Sequence, residues 1–346
     1  MNRALTYSGI LTKVKAMSSI HLSQKELEAL IQLENTADYV NFLRQKPSYK
    51  AAFFNINESN VHRGQIEKII RSSLYYDFIR LYTFATPEQR HSLDLILLRY
   101  ETDILKQSLE SIFNQKTNDT LSSFHAFFEQ HSKLKLNALL QAESLEQFIE
   151  LLKGTQYFPV LSRLQDASSP PLLKDYENQL DIYYFQEVWR FIKKQYKGRE
   201  QKAFFAVFGT QADLLNILWI YRSLKSYCIT PEKRIASIIP VHYRLKKEQI
   251  TALVNCSNIS EFEAALSGTF YRSFFIQIQE STPEAVCFHM MNHRYKSTSS
   301  RLSHSILPVF YELFLKEHEI DQVTTALECI RYQLDPSEAL TYINNN

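Results

Sequence analysis

The sequence predicts an all-helical protein, and three observations support this fold class. Apolar residues recur at helical spacing, and alternating strand-like runs are nearly absent; one helical stripe comprises Ile66, Ile69, Ile70, Leu74, Tyr75, Phe78, Ile79 and Tyr82. Most prolines fall between periodic segments, where a missing N–H costs little, and Pro308 predicts a kink or a helix start. A segment of two short helices also occurs three times along the chain.

The repeated segment begins with a short apolar stretch and ends at a tyrosine. Its copies run from Leu27 to Tyr49, from Leu136 to Tyr157 and from Ile250 to Tyr271. Ala29, Ala138 and Ala252 occupy matching places, which sets a period of about 110 residues. We expect these three alanines to be buried in equivalent positions, since small residues let two short helices approach closely.

Polar residues stand where the short helices should begin. Such side chains satisfy the open N–H groups of a first turn, and the predicted caps are Thr36, Ser144 with Gln147, Asn258 with Glu261, and Ser23 with Glu26. Long helix pairs are predicted between the copies, at 61–85 with 88–115, 172–197 with 207–227, and 301–316 with 319–334. Polar loops at 114–120 and 166–171 give the clearest boundaries. The predicted units are therefore 1–118, 119–228 and 229–346.

Length, composition and charge exclude several classes of protein. The chain has 346 residues, whereas single domains typically hold ~100–150. Its 39 basic and 37 acidic residues give a net charge of +2, without the basic excess typical of nucleic-acid binding. No uninterrupted apolar run approaches the ~18 residues of a membrane span, and Met1–Tyr7 does not resemble a signal peptide. We therefore expect a cytoplasmic protein.

Motifs for catalysis, cofactors and metals are missing. Only 6 glycines occur, none in a phosphate-binding loop, and the sequence contains no C-x-x-C pair and no G-x-S-x-G elbow. His289 and His293 stand four residues apart, as in zinc proteases, but the glutamate of H-E-x-x-H is missing. The prediction is a non-catalytic protein without a cofactor or a metal site.

Specific motifs lie in the middle of the chain. Glu177-Asn-Gln-Leu-Asp181-Ile-Tyr183-Tyr184 has the pattern E-x-x-L-D-x-x-Y-[YF], and Asp213-Leu-Leu-Asn216 is followed by Arg222 and Lys225. Thr155-Gln-Tyr157 and Thr269-Phe-Tyr271 end two of the repeats. With these motifs the chain resembles, over nearly its whole length, the C subunit of bacterial and archaeal V/A-type ATPases, which corresponds to the d subunit of eukaryotic vacuolar ATPases. It departs from that pattern at His242, in place of a frequent glycine, and at Lys46-Pro-Ser-Tyr49, which lacks the threonine.

The resemblance implies a fold, a function and partners. It implies three helical units around a pseudo-threefold axis, forming a funnel in the central stalk of the rotary ATPase. Such a protein receives the shaft, made of the D and F subunits, and sits on the membrane rotor ring. It thereby couples the two for ion transport that consumes or produces ATP. The membrane stator is a further partner, and the protein is peripheral on the cytoplasmic face.

Polar residues at matched places on the long helices are candidates for contacts with these partners. They are Asp103 with Lys106, Asp213 with Asn216, Glu319 with Gln322, and the two cations Arg222 and Lys225. The alternative is that they cap or pair within each unit. Arg222 and Lys225 in particular suit the negative end of a helix dipole, which a cation stabilises by ~0.3–1 kcal/mol.

Two other classes of protein remain as alternatives. A helical scaffold of the TPR or HEAT kind would repeat every ~34 to 47 residues, which does not match the period found here. A helical enzyme with an unrecognised site is the other alternative. Copurification with ATPase subunits distinguishes all three.

Overall fold

The fold is known from a computed structural model that describes residues 3–54, 63–115, 122–165, 170–227, 229–278 and 281–344. Throughout these ranges the regular secondary structure is helical, which confirms the predicted all-α class. The chain divides into two compact units, one formed by Met1–Arg90 with Glu280–Asn346 and the other by His91–Gln279. The division into three repeated units at 1–118, 119–228 and 229–346 stays a prediction.

The first compact unit joins both ends of the chain. Its helices are α1 (Arg3–Ser18), α2 (Gln24–Ile31), α3 (Thr36–Gln45), α4 (Arg63–Phe84), the first turn of α5 (Pro87–Asn114), α16 (Pro283–Arg301), α17 (Leu307–Arg331) and α18 (Pro336–Asn344). Helix α17 lies at the centre, because it packs on α1, α2, α3, α4, α16 and α18. Pro308 stands in the first turn of α17, which confirms the predicted helix start.

The predicted pair 301–316 and 319–334 is wrong. One continuous helix, α17, runs from Leu307 to Arg331 through the predicted break between 316 and 319. Lys316 and Glu319 pair across one turn inside the core, with 2.6 Å between Nζ and Oε1, so these polar residues belong to the buried face of the helix.

The second compact unit contains the remaining helices. They are the rest of α5, then α6 (Ser122–His131), α7 (Leu136–Leu140), α8 (Leu145–Leu151), α9 (Phe158–Gln165), α10 (Leu173–Gln195), α11 (Gly198–Arg222), α12 (Pro231–Ala236), α13 (Lys247–Val254), α14 (Ile259–Ser267) and α15 (Arg272–Gln277). Helices α10 and α11 pack on each other across a two-residue turn, and α11 begins nine residues before the predicted position 207. A π-helical turn, Ser223–Tyr227, continues α11.

Helix α11 with its π-helical turn is the core helix of the second unit. Among the described residues, Gly198–Lys225 is the one helical stretch whose length and apolar character would suffice to cross a membrane, yet 72% of its apolar window is buried inside the protein. Gly209 shows how closely α11 is packed, since a Cβ at this position would lie 2.5 Å from Tyr243 Cβ. The burial accounts for the apolar composition of the helix.

The three repeated helix pairs occur where the sequence predicts them, as α2–α3, α7–α8 and α13–α14. The Ser23–Glu26 capping box is confirmed, and Ser144 and Asn258 cap their helices at 3.2 and 2.9 Å. Asn35 rather than Thr36 caps α3, because its Oδ1 accepts the Asp38 N–H at 2.9 Å.

The expectation of buried alanines is wrong. Ala29 and Ala252 are exposed and Ala138 is half-buried. The buried residues lie two positions before and one position after each alanine, three apart on one helical face: Leu27 and Leu30, Leu136 and Leu139, Ile250 and Leu253. The predicted boundary loops lie mostly at 116–121 and 166–169, outside the described residues.

Candidate partner interface

Each repeat ends in a buried tyrosine bonded to a buried carboxylate on a long helix. Tyr49 Oη donates to Glu319 on α17 at 2.8 Å, and Tyr271 Oη donates to Asp213 on α11 at 2.9 Å. Tyr157 Oη donates to Glu101 on α5. We call these three contacts the tyrosine–carboxylate junctions. Burial raises the pKa of Tyr49 and Tyr157 well above 10, so both phenols stay protonated and able to donate.

The same carboxylates also hold the chain just before each first short helix. Glu319 accepts the Leu22 N–H at 2.6 Å, and Asp213 accepts the N–H groups of Arg244 and Leu245 at 2.7 and 3.1 Å. Glu101 accepts the hydroxyl of Ser132, whose Oγ in turn accepts the Leu134 N–H at 3.1 Å. Each junction therefore fixes both ends of a short helix pair to one long helix.

In α5 the sequence suggested Asp103 as the counterpart of Asp213, and the structure moves this assignment by two residues. Glu101, not Asp103, is the counterpart of Asp213, because Glu101 receives the repeat tyrosine and is buried. The sequence does contain a signal for this correspondence, because the carboxylate and the tyrosine are separated by similar numbers of residues in both repeats. The separation is 56 residues from Glu101 to Tyr157 and 58 residues from Asp213 to Tyr271. Asp103 is half-buried, and its charge acts on the nearby carboxylate of Asp181.

Asn216 and Asp213 act together on the segment that precedes α13. Asn216 Nδ2 donates to the Ile239 carbonyl at 3.0 Å, while its Oδ1 accepts the Ile239 N–H at 2.9 Å. Both side chains are buried. The contacts of Asp213, Asn216 and Glu319 each lie within one compact unit, but they join residues of different predicted units, 119–228 with 229–346 and 229–346 with 1–118. The alternative that these residues cap or pair only inside each predicted unit is therefore wrong for these three.

The other candidate residues are more accessible. Lys106 Nζ lies 2.5 Å from Oδ1 of Asp181, a residue of the E-x-x-L-D motif. Gln322 is half-buried, whereas Arg222 and Lys225 are exposed at the end of α11. Lys225 Nζ donates to Tyr221 Oη at 3.2 Å. The structure therefore separates the eight candidates into three buried residues and five that reach solvent.

Comparison with known proteins identifies the family. Residues 10–342 match the family described as ATP synthase (C/AC39) subunit. The chain belongs to this family. It is similar to the C subunit of the A-type ATP synthase of Methanosarcina mazei, with 23% identity over 90% of this chain and 86% of the relative. The corresponding proteins of Methanococcoides burtonii and Pyrococcus abyssi are 22% and 21% identical, covering 95% and 96% of this chain and 91% and 88% of the relatives.

This C/AC39-family chain also contains a buried ionic cluster that sequence reasoning missed. His21 Nε2, in the α1–α2 turn, lies 2.9 Å from Glu312 Oε1, and Lys316 Nζ lies 3.7 Å from the centre of the Tyr49 ring. Asp77 on α4 is buried as well and interacts with these charges. The sequence gives no sign of the cluster, because charged residues at helical spacing, such as Glu312, Lys316 and Glu319, are typical of a helix face in contact with solvent.

Burial and charge shift the titration of the cluster. Burial lowers the pKa of His21, but the hydrogen bond to Glu312 and the charges of Glu319 and Glu312 outweigh this effect, so the pKa lies above 6.5. Burial raises the pKa of Asp77 to about 6. For Glu319, burial opposes ionisation, but Lys316 and His21 outweigh it and hold the pKa below 4.5.

The cluster predicts that stability falls as pH rises above 6.5, through the raised pKa of folded His21. A raised folded pKa means that His21 stabilises fully below its unfolded value of 6.5 and that this contribution is lost as pH rises through the folded pKa. The stability contributed by Asp77 is also lost as pH rises, here from 3.8 through about 6. Glu319 has the opposite sign but acts below 4.5, outside this range.

Calorimetric melts across this pH range measure the effect. We expect the melting temperature to fall with pH in the wild type and to change much less in His21→Gln. His91→Gln is the control, because His91 is an exposed histidine of the other compact unit. Equal pH dependence in wild type and His21→Gln would contradict the assignment to His21.

The two histidines with protease-like spacing are both exposed on α16. Within the described ranges, no group of three or more His, Cys, Asp or Glu side chains is arranged to hold a metal ion.

Proposed function

We propose that this chain is a non-catalytic central-stalk subunit of a V/A-type rotary ATPase. In this function it couples the D and F shaft to the membrane rotor ring on the cytoplasmic face, for ion transport linked to ATP. The family match over residues 10–342 carries the proposal, together with relatives of similar length that are named as C subunits of A-type ATP synthases. The membrane stator is a further candidate partner.

We further propose the arrangement of three units around a pseudo-threefold axis, as a funnel. The three tyrosine–carboxylate junctions support it, since the same contact recurs once in each repeat. The order of the junctions along the chain supports it too. The carboxylate on α5 binds the tyrosine of the second repeat, the one on α11 binds that of the third, and the one on α17 binds that of the first. A closed series of three such contacts is what a threefold arrangement requires.

The junctions also suit the mechanical task. Transmission of torque requires a body that deforms little, and each junction ties a helix pair to a long helix at two points through buried hydrogen bonds. We therefore assign a positioning role to Asp213, Asn216 and Glu319. Partner contacts are assigned to the accessible candidates, namely Asp103, Lys106, Arg222, Lys225 and Gln322.

Copurification tests the proposed function. A tagged copy expressed in its native host should retain the D and F subunits and the rotor ring, and excess untagged chain should compete with it. The purified chain should also bind purified shaft and detergent-solubilised ring at low salt. A wild-type protein that binds neither would overturn the proposal and favour a scaffold of another kind.

A further inference from the structure

Positive charge is concentrated where α10 turns into α11. Residues 193–202 contain five cations and one carboxylate, Glu200, which gives this stretch a net charge of +4, whereas the whole chain has only +2. The five cations are exposed, while Glu200 is buried. We call the five cations the α10–α11 tip; they are Lys193, Lys194, Lys197, Arg199 and Lys202. The rest of the chain is slightly acidic, so this charge is a local feature.

The turn is compact because Gln201 ties the two helices together. Its Nε2 donates to the Tyr196 carbonyl at 2.7 Å and to the Lys193 carbonyl at 3.3 Å, so the first turn of α11 is held against the last turn of α10. Two of the last carbonyls of α10 thereby have a side-chain donor, and the cations of Lys193 and Lys194 are not required to cap them. The five cations lie around this fixed turn and share one small surface.

The fold does not explain these charges, because two of them act against it. Arg199 stands in the first turn of α11, where a cation is repelled by the positive end of the helix dipole. Lys202, three residues further on, adds like-charge repulsion on the same face of the helix. In the part of the chain that the structure describes, none of the five cations forms an ion pair with a carboxylate. An anion from outside the chain would relieve the repulsion.

The start of α11 offers a place for a phosphate group. Lys197, its N-cap residue, makes no side-chain hydrogen bond to the first turn. Gly198 adopts φ +57°, a left-handed conformation that favours glycine, and a Cβ at this position would meet no atom within 4 Å. The backbone is therefore open to an approaching group. Helix starts bind phosphate because their N–H groups and the dipole both favour negative charge.

We propose that the α10–α11 tip binds the phosphate headgroups of anionic phospholipids at the membrane surface. Clusters of ~4–8 Lys and Arg side chains are attracted to such surfaces. The choice of a lipid rests on the proposed function, which brings the chain to the cytoplasmic face of a membrane. The contact is electrostatic, so it weakens with salt and releases readily. It holds the chain near the bilayer in addition to the contacts with partner subunits.

Binding of the full chain to lipid vesicles tests the proposal. Sedimentation is compared for vesicles of equal parts phosphatidylglycerol and phosphatidylcholine and for vesicles of phosphatidylcholine alone, at low and at physiological salt. We expect the wild type to bind only the anionic vesicles, and to bind them less tightly at physiological salt.

Two adjacent pairs of exposed lysines provide a matched comparison within the second compact unit. Lys193→Gln/Lys194→Gln removes two charges from the α10–α11 tip, whereas Lys246→Gln/Lys247→Gln removes two charges at the start of α13. Each cation near an anionic membrane strengthens binding about fivefold. We therefore expect about 25-fold weaker binding to anionic vesicles for the first pair and little change for the second.

A third variant separates lipid binding from a structural role. Arg199→Gln/Lys202→Gln also removes two cations of the α10–α11 tip and should weaken vesicle binding to a similar extent. Its melting temperature should stay the same or rise, because the substitution removes repulsion at the start of α11. A lower melting temperature in every tip variant would instead assign these charges to the fold.

The outcomes distinguish this inference from the proposed function. A wild type that fails to bind anionic vesicles at low salt, or equal losses for the two lysine pairs, overturns the inference and leaves the result of copurification unaffected. Tip variants that bind vesicles like the wild type but lose ATPase subunits in copurification also overturn it, and assign the tip to a protein partner. A wild type that binds vesicles but copurifies with no ATPase subunit overturns the proposed function alone.

Discussion

Replacing Asp213 with alanine should lower the free energy of unfolding by about 3–5 kcal/mol, because it strands three hydrogen-bond donors, each costing ~1–3 kcal/mol when buried and unsatisfied. These donors are the N–H groups of Arg244 and Leu245 and the hydroxyl of Tyr271, all bonded to one carboxylate oxygen. The expected loss exceeds the ~1 kcal/mol of an ordinary helix cap. Urea denaturation measures it.

Two milder substitutions test whether the stranded hydrogen-bond donors cause the loss of stability. Asp213→Asn keeps the shape and one acceptor oxygen, and Tyr271→Phe removes a single donor, so each should cost only about 1 kcal/mol. Shaft affinity should change little in any of the three variants that remain folded, because Asp213 is buried. An alanine variant as stable as the wild type would show that the junction does not hold the fold together.

Replacing Lys316 with methionine should cost about 3–5 kcal/mol, because it leaves the carboxylate of Glu319 buried without its closest cation. The chain offers a matched control in Lys153→Met. Both lysines pair at i,i+3 with N···O distances of 2.6 Å, but the side chains of Lys316 and Glu319 are 1% and 6% exposed, and those of Lys153 and Glu150 are 58% and 65% exposed. The control should therefore change stability by no more than about 0.5 kcal/mol.

A second substitution separates charge from packing. In Lys316→Met/Glu319→Gln the buried negative charge is removed as well, so part of the lost stability should return. Urea denaturation of the single and double variants measures the coupling. Equal losses for Lys316→Met and Lys153→Met would contradict the conclusion that burial makes the α17 pair important.

Local patterns in the sequence predicted much of the fold. Helical periodicity gave the all-α class, and side-chain chemistry gave the caps at Ser23, Ser144 and Asn258, because both depend on residues close in sequence. The interior of α17 was missed for the opposite reason. Glu319 is buried by contacts with Leu22 and Tyr49, which are 297 and 270 residues away, and no local pattern reports them.

The candidate site was predicted only in part, because burial again depends on residues distant in sequence. The motifs identified Asp213, Asn216, Arg222 and Lys225 but not which of them face solvent, since burial depends on how the segment 239–245 folds back on α11. Glu101 was overlooked because Asp103 fits the D-x-x-N pattern better. Only the position of Tyr157 shows which of the two carboxylates is the counterpart of Asp213.

The junction between Tyr49 and Glu319 sets an order of events during synthesis. Residues between His91 and Gln279 include both partners of the other two junctions, so this compact unit can assemble as soon as it leaves the ribosome. The repeat that ends at Tyr49 must wait until α17 emerges 270 residues later, roughly 15–50 s at ordinary elongation rates. During that interval the apolar faces of α2 and α3 lack α17, so we expect the nascent N-terminal segment to be exposed to aggregation until α17 is made.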